Sequence, residues 1–140
     1  MLSPDFTRYS LALLEDEKLI YSACGGGLRP LWDALIKFRG KSGLILHDKV
    51  MGLAAARLIV YSGMIAGIFT EVASRPARQF LQKNSIALTA DDVADNILTR
   101  DKSAICPGEV IALATDDPDA FLQKIRAMLN LAGSTLQTIR

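Results

Sequence analysis

Residues 50–61 limit what this chain can fold into more than any other stretch, because they are apolar on nearly every helical face and carry a single charge, Arg57. A helix on a protein surface shows an apolar stripe and an opposing polar face; one that is apolar all round has to be covered from several sides. Gly52 and the run Ala54, Ala55, Ala56 keep its first turns thin, so neighbouring backbone can approach closely. Gly63 follows where a left-handed cap would end the helix. The chain is therefore expected to wrap around this segment.

The flanking pattern supplies the wrapping. Two apolar runs, residues 9–14 and 19–23, are separated by the charged turn at 15–18 and predict a β-hairpin. Gly25, Gly26 and Gly27 break the pattern, and Pro30 sits where a helix can begin without losing a donor. That helix carries Leu31, Leu35 and Phe38 and stops near Gly40. Leu44, Ile45 and Leu46 are too few for a helix and suit a covered strand. Residues 65–72 read as another strand, Ser74 as the start of a helix running to Lys83, and residues 86–88 as a short strand. Asp91 or Asp92 is expected to cap a helix holding Val93, Ile97 and Leu98. Asp117 and Pro118 open a last helix that buries Phe121, Leu122, Ile125, Met128 and Leu129. Strands alternating with helices predict an α/β fold, a three-layer αβα sandwich with a mixed sheet and helices on both faces. A length of 140 residues fits one domain over residues 1–140, with its core at about 8–130 and a flexible C-terminal tail beyond Asn130.

Composition removes several classes of function. Sixteen basic residues against fifteen acidic ones give a net charge of +1, so no electrostatic footprint for nucleic acid is present. No apolar run is long enough to span a membrane, and the N-terminus lacks the pattern of a signal peptide. The two cysteines, Cys24 and Cys106, form neither a disulfide framework nor a Cys-x-x-Cys pair, which suits a reducing, cytoplasmic setting.

In open α/β sheets ligands bind outside the carboxyl ends of strands, where helix N-termini present free amides and a positive dipole end. Two predicted helix starts carry unusual residues, His47-Asp48-Lys49 before Val50 and Cys106-Pro107-Gly108-Glu109. Cys106 at a helix start is a candidate nucleophile, against the plainer reading of a small packed thiol. Glu109 is a candidate proton carrier, or else a carboxylate that compensates the helix dipole. Asp48 and Lys49 are candidate ligand contacts or a structural cap and ion pair. Arg29 beside the glycine triplet could form an anion cradle, and Arg100 and Asp101 could stand at a pocket mouth; ordinary turn and loop residues look the same. His47 with Cys106 and Cys24 is too sparse a set for zinc, so no metal and no cofactor is expected.

Taken in order, Gly27-Leu28-Arg29-Pro30-Leu31, Asp48-Lys49-Val50-Met51-Gly52 with Ala54-Ala55-Ala56, Ser74, and Cys106-Pro107-Gly108-Glu109 form a set that resembles the uncharacterised prokaryotic domain-of-unknown-function family 1893 across residues 8–130. The resemblance implies a fold like that of the cytidine deaminases without their zinc signature. Zinc deaminases hold the ion with a His or Cys followed by a Glu at one helix start and two Cys at the next. Here Asp48 to Met51 contain no His-x-Glu, and Cys106 and Glu109 stand where the two thiolates would be. Three readings follow. The favoured one is a zinc-less binding module holding a small anionic or nucleotide-like ligand at two converging helix starts, with Arg29, Lys49 and Arg100 supplying positive charge. The second is a metal-independent enzyme with Cys106 as nucleophile and Glu109 or Asp48 as proton carrier. The third is a homo-oligomeric structural or regulatory module with a vestigial pocket.

Overall fold

The computed structural model describes residues 2–99 and 101–130. Its elements run β1 (Leu11–Glu15), β2 (Lys18–Ala23), α1 (Arg29–Lys37), β3 (Leu44–Asp48), β4 (Val50–Met51), α2 (Leu53–Ser62), β5 (Ile65–Ser74), α3 (Arg75–Lys83), β6 (Ala87–Ala94), α4 (Pro107–Ala114) and α5 (Pro118–Met128). The β1–β2 hairpin turns at Asp16 and Glu17, both at positive φ, as a tight two-residue turn requires. β1 pairs antiparallel with β3, and β3, β5 and β6 are mutually parallel, so the six-stranded sheet is mixed. β4 continues the line of β3 beyond Lys49, whose carbonyl accepts the Glu71 and Val72 amides at 3.2 and 3.4 Å.

All five described helices gather on one side of this sheet, which corrects the expected sandwich. Leu11, Leu13, Leu44, Leu46 and Ile68 face a single core shared with every helix. The opposite face, where the strands present Ala12, Leu14 and Ile45, is met by Tyr9 and Phe6 of the N-terminal segment. Connectivity explains this. The strand order β2-β1-β3-β5, with β6 on the far side of β5, never reverses along the three parallel crossovers. Right-handed crossovers that all advance in one direction put α1, α2 and α3 on one face, whereas helices reach both faces only where the order turns back. α4 and α5 then lie over α2, where the Phe121 ring stands 6.0 Å from that of Tyr61. Sheet below and helices above and beside account for α2 being buried from Leu53 through Ile59.

Local chemistry sets the boundaries. Val50 and Met51 are drawn into the β5 ladder, so α2 begins three residues later than its hydrophobicity suggests, after an extended Gly52 that offers no capping side chain. Gly63 ends it with φ 67°, the expected left-handed cap. Ser74 accepts the Ala77 amide at 3.2 Å and Asp117 the Ala120 amide at 2.9 Å, as Ncap residues should. The helix expected to start at Asp91 or Asp92 is instead the second half of β6: Asp92, Val93 and Ala94 pair with Val72, Ala73 and Ser74. Tertiary pairing with a long neighbouring strand overrides a plausible cap. The expected tail beyond Asn130 lies outside the described residues.

Candidate functional site

α2 and α4 run in parallel, and each corrects a defect of the other. Parallel helices place like dipole ends side by side, two positive N-termini together and two negative C-termini together. At the first end, Glu109 in the opening turn of α4 sends its carboxylate across to α2. Oε2 accepts the Leu53 amide at 2.7 Å and Oε1 the Ala54 amide at 2.8 Å, satisfying donors that Gly52 cannot cap. Gly52 is also what makes room, since a Cβ there would stand 2.5 Å from Oε1. At the other end, Arg57 of α2 donates to the carbonyls of Ala112 at 3.0 Å, Thr115 and Asp116 at 3.1 Å, which close α4. Its Nε donates to the Tyr61 hydroxyl at 2.9 Å, and the guanidinium lies 4.1 Å from the Phe121 ring centre. Both residues are only 4% exposed, and among the described residues neither forms an ion pair with an opposite side-chain charge; helix ends are their counter-charges. Burial raises the Glu109 carboxyl above the ordinary range, and the Ala54 and Leu53 amides hold it back.

Beside the Glu109 bridge opens a cleft of about 750 Å³. Its walls include the backbone of Gly25, Gly26 and Gly27, the side of Lys49, and Cys106. The two helix starts that the sequence singled out are therefore neighbours in space. Cys106 occupies the Ncap of α4, half-buried, its side chain capping nothing; its carbonyl accepts the Glu109 and Val110 amides at 2.9 and 3.1 Å. Lys49 is exposed and has no ion-pair partner among the described residues.

The other candidates stand elsewhere. Asp48 does not line the cleft; burial pushes its carboxyl well above the ordinary range, opposed by the Lys49 and Val50 amides. Arg29 is turned to Asp33 at 3.1 Å and to the Leu129 carbonyl at 3.3 Å, outside the cleft wall. Asp101 is also outside, organising its loop by accepting Thr99 Oγ1 at 2.7 Å, Ser103 Oγ at 2.7 Å and the Ser103 amide at 3.0 Å. Those bonds lower its carboxyl to about 2. Arg100 lies outside the described residues. His47 is fully buried on the sheet face away from the helices, with Nδ1 2.8 Å from the Tyr9 hydroxyl, and burial lowers its pKa. Cys24 is exposed, its Sγ 3.6 Å from the Arg8 carbonyl. Among the described residues no three His, Cys, Asp or Glu side chains gather closely enough to hold a metal. Sequence reasoning missed the roles of Arg57 and Gly52. The signal for both was present, a lone charge in an otherwise apolar helix and a glycine at its start.

Fold and site together define a mixed α/β domain with its helices stacked on one sheet face and a cleft at two helix starts joined by an internal carboxylate. The chain belongs to the family described as a domain of unknown function, DUF1893, whose profile matches residues 5–129. A DUF1893 family protein from Thermotoga maritima, known from its crystal structure, shares this fold with a TM-score of 0.78. It is 24% identical, over 88% of this chain and 82% of its own. No curated protein matches the chain. Among the described residues no helix is long and apolar enough to cross a membrane.

Proposed function

We propose that the chain is a zinc-free binding module of cytidine-deaminase-like fold that holds a small anionic or nucleotide-like ligand in the cleft beside Lys49 and Cys106, acting in the cytoplasm. The observation that carries this reading is the juxtaposition of the starts of α2 and α4 at an open cleft, as the hydrogen bonds from the Leu53 and Ala54 amides to the Glu109 carboxylate require. A cleft of about 750 Å³ falls in the size range of small-molecule sites. The donor set does not fit a zinc ion: Cys106 is the one thiol on the wall, both Glu109 oxygens are engaged, and His47 faces the other side of the sheet. The engagement of Glu109 also weighs against it as a proton carrier for Cys106. Self-association has a separate support, the exposure of Val110 at 51% and Leu113 at 46%, one turn apart on α4. A thermal-denaturation screen with nucleotides, nucleobases, small phosphates and carboxylates tests the module, because a ligand at a hundred times its Kd stabilises by about 2.7 kcal/mol. A shift with at least one anionic member is expected. No shift across the panel at millimolar concentration contradicts the reading.

A further inference from the structure

Resting on the cleft as a ligand site, we infer that its ligand is a single-headed anion on an apolar body: one carboxylate or phosphate monoester at Lys49, with a flat hydrocarbon or heteroaromatic group against Val50 and Leu98. Charge accounting gives the first half. Lys49 is the cation on the cleft wall among the described residues and has no carboxylate to answer it. The one acidic residue on the wall, Glu109, turns both oxygens away to the Leu53 and Ala54 amides. Among the described residues the Lys49 ammonium thus stands on the cleft wall with no side-chain carboxylate answering it, a ready counter-charge for an anion entering the cleft.

The same bonds limit how many anionic groups fit. An unoccupied α2 start would offer a second seat for an anion, but its first two amides already serve Glu109. Arg29, which could have answered another phosphate, is committed to Asp33 and the Leu129 carbonyl. Among the described residues one anionic head therefore has a counter-charge on the wall, and a second phosphate does not.

The apolar half rests on exposure. Large hydrophobic side chains exposed to water in the described residues are few, and two of them, Val50 at 41% and Leu98 at 46%, stand on this cleft. Among the described residues both keep over two-fifths of their surface open to water. Such side chains at the mouth of a cleft are what a ligand's apolar surface covers. Gly25, Gly26 and Gly27 on the same cleft present no side chains to obstruct a flat group.

Isothermal titration with two matched pairs tests the inference: 1-naphthoate against 1-naphthalenemethanol, and adenosine monophosphate against adenosine, with adenosine diphosphate and inorganic phosphate added. At least one anion is expected to bind about tenfold or more tightly than its neutral partner, as a charge-assisted contact implies. The diphosphate gains nothing over the monophosphate, and inorganic phosphate alone binds at least tenfold more weakly. In Lys49→Met, an exposed position where folding is unaffected, the anion's advantage disappears while the neutral partner binds as before. The two pairs separate a carboxylate preference from a phosphate one. Equal binding of anion and neutral partner, an unchanged preference in Lys49→Met, or tighter binding of the diphosphate overturns the inference and leaves the cleft a ligand site. Absence of binding by every probe at millimolar concentration removes both.

Discussion

The two ends of the α2–α4 pair face the same electrostatic problem and differ in what they leave behind. At the C-terminal end a long guanidinium reaches three carbonyls and a hydroxyl and stacks on Phe121, so the space is filled. At the N-terminal end a short carboxylate spans the gap only because Gly52 contributes no side chain, and the room beside it remains open as the cleft. Filling an end with a large side chain secures stability, and bridging it with a small one leaves space for a ligand. Arg57 thus serves stability alone, whereas the Glu109 end serves stability and borders the cleft proposed as the ligand site.

The largest effect that separates the ends is expected from Arg57→Ala. Several carbonyls lose their donors at once in a buried setting, at about 1–3 kcal/mol for each buried polar group left unmet. Urea denaturation should show a loss of about 3 kcal/mol or more, and Arg57→Lys should recover only part, because an ammonium lacks the planar fork. Next comes Gly52→Ala, whose new Cβ must push the carboxylate off Leu53 and Ala54, at a cost of roughly 2–3 kcal/mol. A Gly52→Ala loss below about half a kcal/mol would mean that the carboxylate and the amides do not depend on that glycine.

A smaller effect follows pH. Burial holds the folded-state pKa of Glu109 above its ordinary 4.5, so the folded state binds the extra proton. Its contribution is fully present below pH 4.5 and is lost as pH rises through the raised value. Asp48 acts in the same direction from 3.8 upward, while His47, lowered from 6.5, loses its contribution as pH falls below that value. Stability measured against pH should slope less steeply above pH 4.5 in Glu109→Gln, with the Asp48 share remaining. An unchanged slope would place the Glu109 carboxyl in water. The smallest effect is the loss of the exposed Lys49 ammonium in Lys49→Met, with stability expected to stay within about 0.5 kcal/mol.

Much of this arrangement was legible in the sequence, for reasons that can be traced. The all-apolar character of α2, the glycine at its C-terminus and the caps Ser74 and Asp117 are local signals, and they hold, while the start of α2 moves three residues on because Val50 and Met51 join the β5 ladder. The proximity of the two helix starts came from the rule about strand carboxyl ends, and Lys49, Cys106 and Glu109 do meet at one cleft. The placement of helices on one face could not be read, because it depends on strand order, and β1 and β3 pair across the intervening β2 and α1. β6 was misread past Asp91 because its pairing with β5 is likewise nonlocal. Arg29 and Asp101 are polar residues near cleft segments in sequence but satisfied by Asp33 and by Thr99 and Ser103. Sequence spacing can bring a residue to a neighbourhood; it does not say which way the side chain turns.

A double-mutant cycle on Gly52→Ala and Glu109→Ala, followed by urea denaturation, tests most directly whether the carboxylate is the cap of α2. Removing the carboxylate vacates the space 2.5 Å from the position of the new Cβ, so Gly52→Ala should cost little in the Glu109→Ala background. The two losses are expected to fall short of additivity by about 1–3 kcal/mol. Additive losses, within about half a kcal/mol, would contradict the account.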